Sequence, residues 1–539
     1  MWLHAEVNGD PRAYTLQLTY ALEGRVDPDA LRAALDGVVR RHEALRTGFR
    51  LTAEGLVQEI RKVADCPVEL ATAPPGLDEQ SAELHTREWL AAAAARPFEL
   101  DRPPLLRVHL LRLAPQRHVL LILVHHLVFD GWSAGLLLAE LSADYRGLTV
   151  RREEAQAPAA GSFRRHVLAE AARLAAGAGA RNLGYWTARL TPPPGRPPLV
   201  LEPAGTGAEL LAPPPAEPFA LGAEASDAVR RLADEFGTTE FVVTAALLAC
   251  ALNRLHGPGP VHIGYPTSTR GPEEEGTIGL FLNTLVLVVD VRDEMTLAEL
   301  VLAVETAHYD ALDHRPLEAD RVAAAVPAAR AGGDSLYQVM LAFQNLPPAV
   351  LDLPGVLARP LAGPDRAAEF DLAVSVEATA PVLAGWVERD GRSLTSADTR
   401  TLLAALDALA CGAVVVGGGG VVGGLSVLGV GDVGLVARVN GSVGGFGFRG
   451  LAGVVAGWGV VAGGSVAVCG VGGVLSFGEL DVRAGLVAAG LVAAGLGGGM
   501  WWGLRWGGGL IWWWRCWGCG GRGLRLCRWM WSIRWSGCG

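Results

Sequence analysis

The residues able to do chemistry gather in one nonapeptide, His125-His126-Leu127-Val128-Phe129-Asp130-Gly131-Trp132-Ser133. Two imidazoles, a carboxylate and a hydroxyl in nine positions offer acid–base chemistry near neutral pH. Adjacent side chains on an extended segment point to opposite faces, so the two histidines are not expected to hold one metal or act together. One should face a cleft and the other the core. Asp130 with Gly131 closes a tight turn and can fix local geometry without touching substrate. This spacing, at the end of a buried strand, delivers one imidazole to a reacting proton. A histidine met singly is more often a packed structural residue, and His42, His109, His118 and His262 are read that way.

Several elements must position this segment. The apolar run 119–124 is too short for a typical helix and is bounded by a turn at Pro115-Gln116, so it reads as a strand buried on both faces. A partner strand precedes it over 105–113. Ser133 is expected to cap the next helix, whose Leu136, Leu137, Leu138 and Leu141 form its buried side. Upstream, 27–46 reads as a helix with Asp27 as N-cap and Pro28 at its first position. Pro-rich stretches at 191–197 and 213–218 read as linkers. Helices then follow from about Ser226 and over 239–256, and a strand at 261–265 leads into Pro266-Thr267-Ser268-Thr269-Arg270. The alternation makes the body α/β or α+β, in two lobes.

Composition divides the 539 residues at about 411. Before that point lie 30 of the 70 glycines; after it lie 40, with 11 of the 16 tryptophans and 6 of the 8 cysteines. The body carries 37 − 53 = −16 and the tail 9 − 3 = +6. An acidic body with one lysine, Lys62, argues against a nucleic-acid binder. Cys66 and Cys250, the only body cysteines, give no disulfide framework, and the start lacks a basic, apolar signal segment; a cytoplasmic location is expected.

The nonapeptide matches at every fixed position the His-His-x-x-x-Asp-Gly signature of the condensation domains of nonribosomal peptide synthetases, whose fold resembles chloramphenicol acetyltransferase. The resemblance extends to 41–49 (Arg-His-Glu-Ala-Leu-Arg-Thr-Gly-Phe), Tyr185-Trp186, the stretch Ile278-Gly279-x-Phe281-x-Asn283-Thr284-Leu285, and 336–340. It covers about 1–405. It implies two lobes in a V with the active site at their interface: 1–170 the N-terminal lobe and 171–410 the C-terminal lobe. His126 is then the catalytic histidine, His125 secondary, and Asp130 and Gly131 complete the motif. Arg270 is implied to pair with Asp130, and Arg46, Trp132, Ser133 and Asn283 to be structural at the site. The implied reaction is attack by the amine of an acceptor aminoacyl thioester on a donor acyl or peptidyl thioester. Both would ride on phosphopantetheine arms of carrier domains, with no cofactor or metal held by the domain itself and no membrane partner. A stand-alone acyltransferase, an epimerisation domain and a non-enzymatic docking platform for carriers are the rivals within the fold.

Three features are set aside. Gly332-Gly333-Asp334-Ser335-Leu336 resembles a phosphopantetheine attachment site but lies where the condensation family places its own 336–340 stretch. Cys516, Cys519, Cys527 and Cys538 have loose spacing for zinc and no following histidine. The apolar stretch 485–514 carries Arg505 and is too glycine-rich for a membrane span. Residues 425–441 resemble the linker to an adjacent adenylation domain and 475–484 the opening of that domain. Between them Gly, Val, Trp, Arg and Cys, all with guanine-rich codons, replace the expected residues, so 411–539 is read as a degraded, low-complexity, unfolded tail without ATP-binding capacity.

Overall fold

The computed structural model describes residues 14–53, 55–151, 161–190, 216–257, 259–326, 336–337, 339–344, 350–361, 370–378, 381–389, 394–429 and parts of 432–515. It divides into two units, 1–432 and 433–539.

In the first unit the first described elements are β1 (Thr15–Gly24) and α1 (Pro28–Arg41). Asp27 accepts the Asp29 and Ala30 N–H groups as N-cap, with Pro28 at the first position, as the sequence predicts. The helix stops at Arg41, five residues early, because Thr47 already starts a strand. That strand, β2 (Thr47–Thr52), forms a separate hairpin with β3 (Gly55–Ile60). Next come β4 (Val68–Thr72), α2 (Glu79–Ala94), β5 (Leu106–Ala114), β6 (Arg117–His125) and α3 (Gly131–Arg146). Helices α4 (Phe163–Arg173) and α5 (Gly179–Leu190) lead out of this lobe.

β6 lies between β1 and β5, antiparallel to both, with Thr15 opposite His125 and Leu110 opposite Leu120. Its Leu120, Ile122 and Val124 join the core that includes α1 and α3 residues, while Val119, Leu121 and Leu123 pack with Leu90, Ala93 and Ala94 of α2. The run is therefore buried on both faces, in an antiparallel pairing, because helices cover each side.

The C-terminal lobe holds β7 (Glu217–Ala220), α6 (Ala223–Phe236), α7 (Glu240–His256), β8 (Pro260–Ser268), β9 (Leu282–Asp290), α8 (Leu297–Asp313), α9 (Ala319–Ala325) and β10 (Val339–Gln344). After β11 (Val356–Pro360) it continues with β12 (Leu372–Glu377), β13 (Ala384–Arg389) and α10 (Ser396–Val416). Its sheet runs β7-β13-β12-β10-β8-β9, with β10 parallel to β8 and β12. Part of the second Pro-rich stretch is the edge strand β7, where Pro218 costs no ladder bond that a central strand would need.

The lobe boundary expected at 170 is crossed in two places. β11 leaves the C-terminal lobe and pairs with β1, Tyr20 opposite Pro360, completing the N-terminal sheet as β11-β1-β6-β5-β4. The β8–β9 loop sends Ile278 and Phe281 into the N-terminal core.

The boundary expected at 411 is also corrected. α10 runs through it to Val416 and ends at Gly417, whose φ of 65° suits glycine. Val422 and Leu425 then join the C-terminal core, and the Val422 N–H donates to the Met295 carbonyl at 2.7 Å. Gly- and Val-rich composition still supplies what a helix end and a core require. α10 is long and apolar enough to cross a membrane, but its Leu402, Leu406 and Leu409 are buried in this core, against α6 and α7.

The unit 433–539 contains the hairpin β14 (Val466–Gly470) with β15 (Gly473–Ser476), the helix α11 (Phe477–Ala493), and the hairpin β16 (Trp501–Arg505) with β17 (Ile511–Arg515). These elements replace the expectation of a wholly unfolded tail. Ser335 and the cysteines from 516 onward lie outside the described residues.

Candidate active site

β6 ends at His125, and His126 begins a single 3₁₀ turn, His126–Val128. This break in the strand separates the two imidazoles as the alternation argument requires. His125 is 3% exposed; its Nδ1 accepts the Leu127 N–H at 3.1 Å, and its ring meets Phe98 edge-on at 6.0 Å. Burial, with His126 adjacent, pushes its pKa down to about 4, so it is neutral at physiological pH. His126 is half-buried, and its N–H donates to the Tyr14 carbonyl at 2.7 Å, which fixes the backbone where the ring departs.

Asp130 is the hub of the turn. The cap of α3 is Asp130 rather than Ser133: its Oδ1 accepts the Ser133 N–H at 2.8 Å and the Ser133 hydroxyl at 2.7 Å. Gly131 is the first helical residue and Ser133 the third. Serine and aspartate are both favoured caps, so residue type alone does not choose between Ser133 and Asp130. Asp130 Oδ2 accepts the Phe281 N–H at 3.0 Å. Arg270 Nη2 lies 3.1 Å from Oδ2, as the family resemblance implied, with the two side chains 4% and 2% exposed. Burial lowers the Arg270 pKa, and Asp130 offsets part of that effect. The guanidinium also donates to the Glu274 carbonyl at 2.6 Å and to the Thr277 carbonyl, and lies over the Phe281 ring at 4.0 Å. A buried ion pair with this many partners sets geometry rather than adding much stability.

The β8–β9 loop thus crosses from one lobe to the turn of the other. Ser133 Oγ accepts the Gly279 N–H at 3.1 Å, and Trp132 Nε1–H donates to the Glu275 carbonyl at 2.8 Å. Gly279 has no room for a side chain: a Cβ there would sit 2.5 Å from the Phe163 ring and 2.9 Å from that of Phe281.

Two of the residues implied to be structural at the site bond to backbone carbonyls of other segments. Arg46 donates to the backbone carbonyls of Val39 (3.1 Å), Arg61 and Lys62, and holds α1 against the segment after β3. Asn283 Nδ2 donates to the Arg315 and Leu317 carbonyls, each at 2.7 Å, and pins the segment after α8 to β9. Their motifs are legible in sequence, but their partners are backbone atoms, which leave no residue-type signal.

Arg41-His42-Glu43, legible in sequence as part of the 41–49 motif, sends its three side chains to α3, the β8–β9 loop and α4. Arg41 reaches Glu140 and Asp144 of α3 at 2.7 and 2.8 Å. His42 joins Glu140 to the Ile278 N–H. Glu43 Oε2 accepts from the Ser162 hydroxyl at 2.8 Å, at the start of α4. Burial would raise the Glu140 pKa; bonds from His42 and Arg41 outweigh it, and the net shift is downward. Similarly, Tyr185 stacks on His314 at 4.0 Å and Trp186 Nε1–H donates to the His314 carbonyl at 3.2 Å. Among the described residues no His, Cys, Asp and Glu cluster could hold a metal ion.

The chain has counterparts among known proteins. A family model for the condensation domain matches residues 1–378. The chain is 31% identical over 384 residues to chondramide synthase cmdD of Chondromyces crocatus, covering 70% of this chain and 10% of that one. It is 32% identical over 396 residues to an isonitrile lipopeptide synthase of Mycobacterium tuberculosis, covering 70% and 15%. The chain thus spans a small fraction of the length of these relatives. Among solved structures it is similar to the first condensation domain of the calcium-dependent antibiotic synthetase with a substrate analogue (TM-score 0.64, 24% identity, 79% of this chain and 97% of that one). It is also similar to the X-domain from teicoplanin biosynthesis (TM-score 0.68, 23% identity, 79% and 95%). These likenesses share the two-lobed, chloramphenicol acetyltransferase-like α/β fold. With the family model spanning most of the chain and the signature turn assembled across two lobes, the chain belongs to the condensation-domain family of nonribosomal peptide synthetases.

Proposed function

We propose that this chain joins a donor acyl or peptidyl thioester to the amino group of an acceptor aminoacyl thioester, each carried on the phosphopantetheine arm of a carrier domain. The amine nitrogen attacks the thioester carbonyl, a C–N bond forms, the C–S bond breaks, and the amine's proton leaves with the thiol. The observation that carries this reading is the division of labour between the histidines: His125 is buried and neutral, while His126 sits on a turn locked by Asp130 and Arg270.

The demand on His126 is modest. A free α-amino group has a pKa of about 7.7–8.0, so part of it is already neutral near physiological pH. Positioning supplies up to roughly 7–11 kcal/mol in the best cases. His126 therefore orients the amine and takes its proton late in the step. The carriers and an adjacent adenylation domain are the partners, with no nucleic acid or membrane involved. The cytoplasm is the proposed location, supported by the free thiols of Cys66, Cys250 and Cys411.

The test is transfer between loaded donor and acceptor carriers. His126→Ala is expected to lower dipeptide formation by about 10²–10³-fold. Full activity in that variant would remove His126 from the mechanism. Acylation of a soluble amine, with no transfer to the carrier-bound acceptor, would replace this reading with a stand-alone acyltransferase.

A further inference from the structure

His42 has both ring nitrogens committed, each to a different lobe. Nδ1 accepts the Ile278 N–H at 3.2 Å, and Nε2 lies 2.9 Å from Glu140 Oε1. A nitrogen that accepts a backbone proton carries none itself, so Nε2–H donates to Glu140 and each ring nitrogen has a fixed role. The side chain is fully buried, where a leucine would fill space without a polar group to satisfy. Arg41 already pairs with Glu140 through Nε and Nη2. Both of those contacts are on Oε2, so without His42 the Glu140 carboxylate still faces a cation, whereas the Ile278 N–H loses its acceptor.

Ile278 begins the stretch of the β8–β9 loop that meets the catalytic turn. One residue on, the Gly279 N–H donates to Ser133 Oγ at 3.1 Å; three residues on, the Phe281 N–H donates to Asp130 Oδ2 at 3.0 Å. Within four residues the loop is gripped once by His42 and supplies two donors to the residues that follow His126.

We propose that His42 is a positioning residue for the reaction: by fixing the Ile278 amide it sets where Gly279 and Phe281 meet Ser133 and Asp130, and so aims His126. This rests on the amide-forming reading above. His42 acts through the loop and touches no reacting atom.

Two conservative variants separate the two bonds. The side-chain oxygen of His42→Asn falls near the Nδ1 position and can accept from Ile278, but does not reach Glu140. His42→Gln reaches toward Glu140 and offers no acceptor at the Nδ1 position. The experiment uses the full chain, with carrier-to-carrier condensation, thermal unfolding, and amide hydrogen exchange over 276–283. His42→Gln is expected to lose on the order of 100-fold in kcat at unchanged KM, as a misplaced site does, with faster exchange over 276–283. His42→Asn is expected to keep that protection and stay within about tenfold of wild type, a cost of one modest interaction. Activity that follows Tm across both variants would make His42 merely structural and overturn the proposal. So would wild-type exchange over 276–283 in His42→Gln. A wild-type chain that forms no amide would end the amide-forming reading instead, while the exchange contrast still decides whether His42 holds the loop.

Discussion

His125 and His126 are neighbours in sequence with opposite roles, and the strand's own geometry divides them. The period of two in an extended chain already separates their faces, and the 3₁₀ turn at His126 completes the separation. A depressed pKa makes His125 a pH sensor of stability. Its folded value is about 4 against roughly 6.5 when unfolded. The unfolded chain therefore binds the proton first as pH falls. Stability is fully present above about pH 6.5 and is lost as pH falls toward 4, by roughly 3 kcal/mol for this one group. His125→Asn keeps an acceptor for the Leu127 N–H and does not titrate, so its urea-unfolding free energy should fall less steeply than wild type across that window. Parallel curves would disprove the assignment. Asp130 gives a second residue-scale expectation. Replacing it by alanine strands Arg270 in a site where both side chains are nearly inaccessible, so a loss of about 3–5 kcal/mol in unfolding free energy is expected. The double variant Asp130→Ala with Arg270→Met should recover much of it.

At the scale of elements, the strand–turn–helix carrying the signature was legible because its signals are local: an apolar run, a Pro-Gln turn, and an acid before a helix. The loop that locks it was not. Ile278, Gly279 and Phe281 read in sequence only as a motif, because their contacts with His42, Ser133 and Asp130 are made through backbone N–H groups. The same holds for Arg46 and Asn283, whose carbonyl partners could be any residue. Glycine at 279 is the one visible trace of the close approach. Gly279→Ala is expected to force the loop off the Phe163 and Phe281 rings, costing about 1–3 kcal/mol in chemical denaturation. An unchanged midpoint would mean that the rings yield freely.

At the scale of the molecule, composition and structure place the end of the first unit differently. The glycine excess begins near 411, but the core takes in Val422 and Leu425, and the unit runs to Asp432. Composition reports which residues are available, whereas a boundary is set by what they bury. Limited proteolysis of the full chain should therefore leave a stable fragment extending past residue 425. A fragment ending between 411 and 416 would contradict the observed packing. The long-range pairing of β11 with β1 could not be read from sequence either, since five residues of mixed polarity carry no address. That pairing has a consequence for how the protein is made. β1 can zip to β6 soon after residue 125 is made, yet its other edge stays open until residue 360 has been synthesised. At about 5–20 residues per second this leaves an unpaired strand edge for on the order of ten seconds or longer. The nascent N-terminal lobe therefore needs shielding from its neighbours on the same polysome, and slow codons between 126 and 356 would lengthen that exposure.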